Sequence, residues 1–183
     1  SAVKKYERKF NGRKTSQLRV SAKEIKEAKS RISRKEYKAI GKMIYWIEWD
    51  QLWLRNQKYY MPQLPSAWKK SSELLKQVGY AIKKSLVPIP SVGCYIPGGQ
   101  ARYPSSVVMA VEAAYAAGVK RIVVVSPPGR NGKIDPLTIV AAKMCGATEI
   151  YKVGGAQAIG ALAYGTKSIS KVDKIVGPGG KFV

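Results

Sequence analysis

The chain has 183 residues, 45% of them in the hydrophobic class, enough for one compact domain that buries roughly 70% of its unfolded surface. Lys and Arg number 33 against 11 Asp and Glu, a net charge of +22, and histidine is absent, which removes the side chain best suited to proton transfer near neutral pH. No run of about 18 apolar residues occurs and the opening SAVKKYERKF lacks an apolar signal core, which speaks against a membrane span or secretory leader and sets a cytoplasmic expectation.

Residues 1–90 read as helix-rich. Val3 to Phe10 predicts a helix stopped by Asn11-Gly12, and Leu18 to Val20 one short strand. Two capping boxes follow, Ser21-x-x-Glu24 and Ser33-x-x-Glu36, in which hydroxyl and carboxylate satisfy the first backbone amides of a helix. The second opens a long helix to about Tyr60, ended by Pro62 and Pro65. A short helix is expected from Trp68 to Gly79 and a strand over Tyr80 to Val87.

The long helix carries two apolar stripes. Ile40, Ile44, Ile47 and Leu54 make an ordinary core face, while Tyr45, Trp46, Trp49 and Trp53 make a second one. Burial of both faces between layers or in a dimer is one reading. The other is a partner-binding face, because Trp and Tyr dominate protein interfaces.

Residues 91–183 alternate strand and helix. Short apolar strands are expected at Val92–Ile96, Arg121–Val125, Glu149–Val153 and Lys174–Val176, separated by helices at Ser105–Ala117, Pro136–Cys145 and Ala156–Tyr164. Asp135 stands as an N-cap before Pro136, and Gly118, Gly146 and Gly165 each follow a helix end. This alternation predicts an α/β fold with a Rossmann-like, open, mostly parallel sheet covered by helices on both faces and preceded by the helical amino-terminal segment, all within one domain of residues 1–183.

Three glycine-rich turns fall at the carboxyl ends of predicted strands, the edge where open α/β sheets bind ligands. They are Tyr95-Ile96-Pro97-Gly98-Gly99, Gly154-Gly155-Ala156-Gln157 and Gly177-Pro178-Gly179-Gly180. The second precedes a helix, so its amides are expected to face an anion and Gln157 a ligand. Neither a GxGxxG fingerprint nor a Walker A sequence is present. Cys94 and Cys145 fit no metal or disulfide spacing and read as buried thiols.

The succession VGCYIPGGQARYPSSVVM, GVKRIVVVSPP, AAKMCGATEIYKVGGAQAIGALAYGT and KVDKIVGPGG resembles histidinol dehydrogenase, the zinc enzyme that uses two NAD molecules to oxidise histidinol through the aldehyde to histidine. The likeness is dense over residues 91–180 and weaker at KKYERKFNG and LRVSAKEIKEAKSRIS. It implies NAD contacts at Tyr95 and Gln157. The family's third contact is the asparagine of GPGN, where this chain has Gly180, so the side-chain hydrogen bond is lost. The catalytic Glu-His pair and the zinc ligands of the family lie beyond GPGN, so no catalytic or metal residue is assigned here. A dimer is also implied.

The resulting expectation is a truncated, engineered and catalytically inactive scaffold that needs no cofactor, with Tyr45, Trp46, Trp49 and Trp53 rebuilt as a protein-binding surface. The alternatives are the NAD-binding portion of a histidinol dehydrogenase that depends on residues outside this chain, and a nonspecific polyanion binder driven by the +22 charge.

Overall fold

The computed structural model describes residues 2–11, 17–56, 73, 87–98 and 102–179. Within them the order is α1 (Ala2–Asn11), α2 (Ala22–Ser30), α3 (Arg34–Asn56), β1 (Ser91–Tyr95), α4 (Pro104–Val107), a π-turn (Val108–Glu112), α5 (Ala113–Ala116), β2 (Arg121–Ser126), α6 (Pro136–Met144), β3 (Glu149–Lys152), α7 (Ala156–Tyr164) and β4 (Lys174–Val176). The helix expected at Trp68–Gly79 and the strand at Tyr80–Val87 fall almost wholly outside the described residues.

The strands form one parallel sheet in the order β3-β2-β1-β4. Their side chains alternate between two apolar layers, as the two-residue period of a strand requires. Val92, Cys94, Ile122, Val124 and Ile150 point to the layer of α2, α3 and α6, with Ala28, Ile40 and Ala141 among its members. Tyr95, Val123, Val125 and Tyr151 point to the other, where Val3 of α1 and Ala158, Ala161 and Leu162 of α7 pack. Burial on both faces explains why the strands read as unbroken apolar runs. Leu18 to Val20 adds a short antiparallel segment along β3: Val20 N–H donates to the Ile150 carbonyl at 2.8 Å, and Lys152 N–H to that of Leu18 at 2.7 Å.

The local signals do the work assigned to them. Both capping boxes form, with Glu24 N–H donating to Ser21 Oγ and Glu36 N–H to Ser33 Oγ, each at 3.2 Å, while both carboxylates return to the serine amide. Asp135 accepts from Leu137 N–H at 2.9 Å. Gly118 and Gly146 end their helices in Schellman geometry, the next residue bonding back to Ala114 and Ala142 respectively.

One expectation is corrected: the helix predicted over Ser105–Ala117 is not a plain α-helix, because residues Val108–Glu112 widen into a π-turn that carries Val108, Val111 and Glu112 on its buried side.

Candidate functional site

Parallel strands place all their carboxyl ends on one edge, and the strand order decides where ligands can enter it. The chain steps outward from β1 through β2 to β3 and then returns to the opposite side of β1 as β4, so the topological switch lies between β1 and β4. Tyr95, the last residue of β1, sits there with its side chain 6% exposed. The turn after β4 closes over it: a Cβ on Gly177 would collide with the Tyr95 carbonyl oxygen, and φ is 146°, so glycine is required.

The turn between β3 and α7 completes the rim. Gly154 presses against Pro127 so closely that any Cβ would overlap that ring. Tyr95 Oη accepts from the Gly155 amide at 3.2 Å, tying the β1 end to this turn. Gly154 N–H and Gln157 Nε2 both donate to Oε1 of Glu7, at 3.1 and 2.9 Å. Glu7 is fully buried, brought in by the packing of α1 on α7.

This corrects the expectation that the Gly154-Gly155 amides stand ready for an external anion. Both have protein acceptors, and one of those is a carboxyl group of the chain itself. Glu7 had a detectable signal, since it lies four residues after Val3 on the same helix face, an acid at an apolar position.

Tyr95 and Gln157, the two positions the resemblance implied, are brought to one turn, and Gly180 lies outside the described residues. Alongside runs a cavity of about 240 Å³, lined by Gly98, Arg102, Ser126, Pro127, Lys133 and Asp135. Its Arg102 is held by Glu36 at 2.8 Å and by Asp135 at 3.1 Å. A larger hollow of about 310 Å³ lies at the opposite, amino-terminal end of β3, beside Arg19, Lys143 and Thr148, away from the glycine turns.

A second buried acid was not singled out by sequence. Glu112 is 1% exposed and its Oε1 has no hydrogen-bond partner. Burial raises its carboxyl pKa above the usual range and the nearby Glu48 raises it further, against an opposing hydrogen bond with Cys145. Both thiols are buried and free. Burial pushes Cys94 up to about 12, and burial with the neighbouring Glu112 raises Cys145 as well, so neither is a ready thiolate.

On α3, Ile40, Met43, Ile44 and Ile47 face the core, while Tyr45 and Trp46 are 56% and 68% exposed, edge to face with centroids 6.4 Å apart. The side chains of Trp49 and Trp53 lie outside the described residues.

The fit of the implied groups can be judged from these donors. Among the described residues no three His, Cys, Asp or Glu side chains converge as a metal set, so they offer zinc no site and no step is derived through it. For a dinucleotide the rim supplies an aromatic hydroxyl, a side-chain amide and a cavity with two cations nearby, but little free backbone N–H.

An open parallel α/β sheet, helix-covered on both faces and with a glycine turn at its switch point, belongs to the class of α/β domains that bind ligands at the carboxyl edge of the sheet. The histidinol dehydrogenase family profile matches residues 1–183. Histidinol dehydrogenase of Bacillus licheniformis is 44% identical over 186 residues, and that of Methanothermobacter thermautotrophicus 42% over 182, each alignment covering 100% of this chain and 40% of the relative. The crystal structure of histidinol dehydrogenase from Elizabethkingia anophelis superposes with a TM-score of 0.76 at 31% identity, covering 99% of this chain and 39% of that one. The chain belongs to the histidinol dehydrogenase family and spans about 40% of the length of these relatives.

Among the described residues no helix is long and apolar enough to cross a membrane.

Proposed function

We propose that these residues form the dinucleotide side of a histidinol dehydrogenase, with Tyr95 and Gln157 meeting NAD. The supporting observation is that both side chains converge on the turn between β3 and α7, which Tyr95 reaches from the end of β1, beside the switch between β1 and β4. NAD, when bound, supplies the hydride acceptor. The chain's own residues orient it: Tyr95 is fixed by the Gly155 amide and offers its hydroxyl proton, while Gln157 gives one amide hydrogen to Glu7 and keeps its carbonyl oxygen for a ligand hydroxyl or amine.

Oxidation of histidinol needs a base for the hydroxyl proton, and this sequence has no imidazole. The resemblance further implies that the family's catalytic Glu-His pair lies beyond GPGN, so the reaction is read as drawing on groups outside residues 1–183. Binding by these residues alone is expected to be weak, because Gly154 N–H is engaged by Glu7 and Gly180 replaces an amide side chain. Calorimetric titration with NAD tests the reading. A saturable heat that disappears in Gln157→Ala supports it, and a folded wild-type chain without saturable heat overturns it.

A further inference from the structure

Two features of the sequence play no part in the rim: the lysines of α2 and α3, and the aromatic pair on α3. Lys23, Lys26, Lys29, Lys35, Lys38 and Lys42 are all exposed. None of them is ion-paired among the described residues: Glu24, Glu27 and Glu36 are engaged elsewhere, and Glu48, exposed on α3, forms no ion pair with any of them. Glu24 holds Lys152 and caps α2, Glu27 holds Arg31 and Lys133, and Glu36 holds Arg102 and caps α3. The positive charge is thus left facing solvent.

Helical register puts Tyr45 and Trp46 on the outer side of α3 together with Lys35, Lys38 and Lys42, opposite Ile40 and Ile47. At the junction of the two helices Lys29 Nζ lies 5.9 Å from the centroid of Tyr37, itself 39% exposed, so the flanks of α2 and α3 touch where the lysines of one helix give way to those of the other. A phosphate backbone seeks such uncompensated cations, and unstacked bases seek exposed rings. Duplex nucleic acid would use the lysines and leave the rings idle. A lipid surface fits poorly, because the aliphatic stripe a surface helix would insert is already packed against the sheet.

We infer that the outer face of α2 and α3 is a binding surface for single-stranded nucleic acid, with the lysines tracking phosphates and Tyr45 and Trp46 stacking on bases. This surface is separate from the dinucleotide rim and does not depend on it.

The test is fluorescence anisotropy of the chain with a labelled oligothymidylate of about 20 nucleotides, long enough for one site, over a salt series. Two triple reversals of equal net charge are compared after circular dichroism shows both to be folded. One is Lys35→Glu, Lys38→Glu, Lys42→Glu. The other is Lys120→Glu, Lys167→Glu, Lys171→Glu, away from α2 and α3. The α3 triple is expected to weaken binding at least about tenfold and to reduce the salt slope by about 2 to 3, the control triple by less than about threefold. The double variant Tyr45→Ala, Trp46→Ala is expected to weaken binding about tenfold without changing the salt slope.

Equal losses in the two triples would reduce the effect to diffuse charge and overturn the proposal. So would oligonucleotide affinity that survives the aromatic double variant, duplex or heparin bound as tightly as the single strand, or no binding at all. Self-association in sedimentation that vanishes in the aromatic variant, with oligonucleotide affinity untouched, would make the face a protein contact instead.

Discussion

Glu112 sits in the π-turn with one carboxyl oxygen buried and without a partner, and Glu48 adds negative potential beside it. Its folded-state pKa is raised, so the stability it contributes is complete below its unfolded value and is lost as pH rises through the folded one. Glu24 and Glu149 work in the opposite sense. Burial opposes their ionisation, but Lys152 with Ser21, and Arg121 with Tyr151, outweigh it and lower both pKa values. Their contribution is present above the unfolded pKa and is lost as pH falls through the folded one. Stability should therefore decline on both sides of a mildly acid optimum. Glu112→Gln is expected to flatten the decline on the neutral side, raising the melting temperature there by about 2–4 °C if about 1 kcal/mol is recovered. Melting curves over a pH series check it, and an unchanged profile would exclude Glu112 as the source. Glu7→Ala should cost about 1–3 kcal/mol in denaturant unfolding, since Gly154 N–H and Gln157 Nε2 lose their acceptor, whereas Glu7→Gln keeps an oxygen for both and should cost less.

At the scale of elements, Asp135 has two tasks that substitutions can separate: it caps α6 through Leu137 N–H and pairs with Arg102 beside the rim cavity. Asp135→Asn keeps a cap acceptor and loses the ion pair; Asp135→Ala loses both. Chemical denaturation should show a deficit of about 1 kcal/mol for the alanine variant and little for the asparagine one. Such caps were legible in the sequence because they are local: Ser21 with Glu24, Ser33 with Glu36, and Gly118 or Gly146 after a helix need only a few neighbouring residues. The strands β1 to β3 were legible for a related reason, since burial on both faces leaves apolar runs bounded by turns. The π-turn at Val108–Glu112 was not, because its apolar spacing also satisfies an α-helix.

For the molecule as a whole, the charge of +22 implies self-repulsion that added salt should relieve. Melting temperature is expected to rise as sodium chloride replaces a low-salt buffer, and a fall would mean that the ion pairs such as Lys152–Glu24 matter more than the excess lysines. The rim belongs to this scale too. Its turns could be read from glycine spacing, yet their convergence depends on the order β3-β2-β1-β4, and the group that occupies Gln157 arrives from 147 residues before Gly154. The helical spacing of Glu7 after Val3 marks it as an inward-facing acid, but its partner is set only by the packing of α1 on α7, whereas Tyr95 and Gln157 were singled out through the motifs that carry them.

The central claim, that this rim is a dinucleotide site, is tested most directly by nuclear magnetic resonance of the labelled chain titrated with NAD. Saturable shifts should concentrate at the Gln157 side-chain amide, the Gly155 backbone amide and the residues around Tyr95. Shifts confined to the lysine face of α2 and α3, or none at saturating NAD, would contradict it.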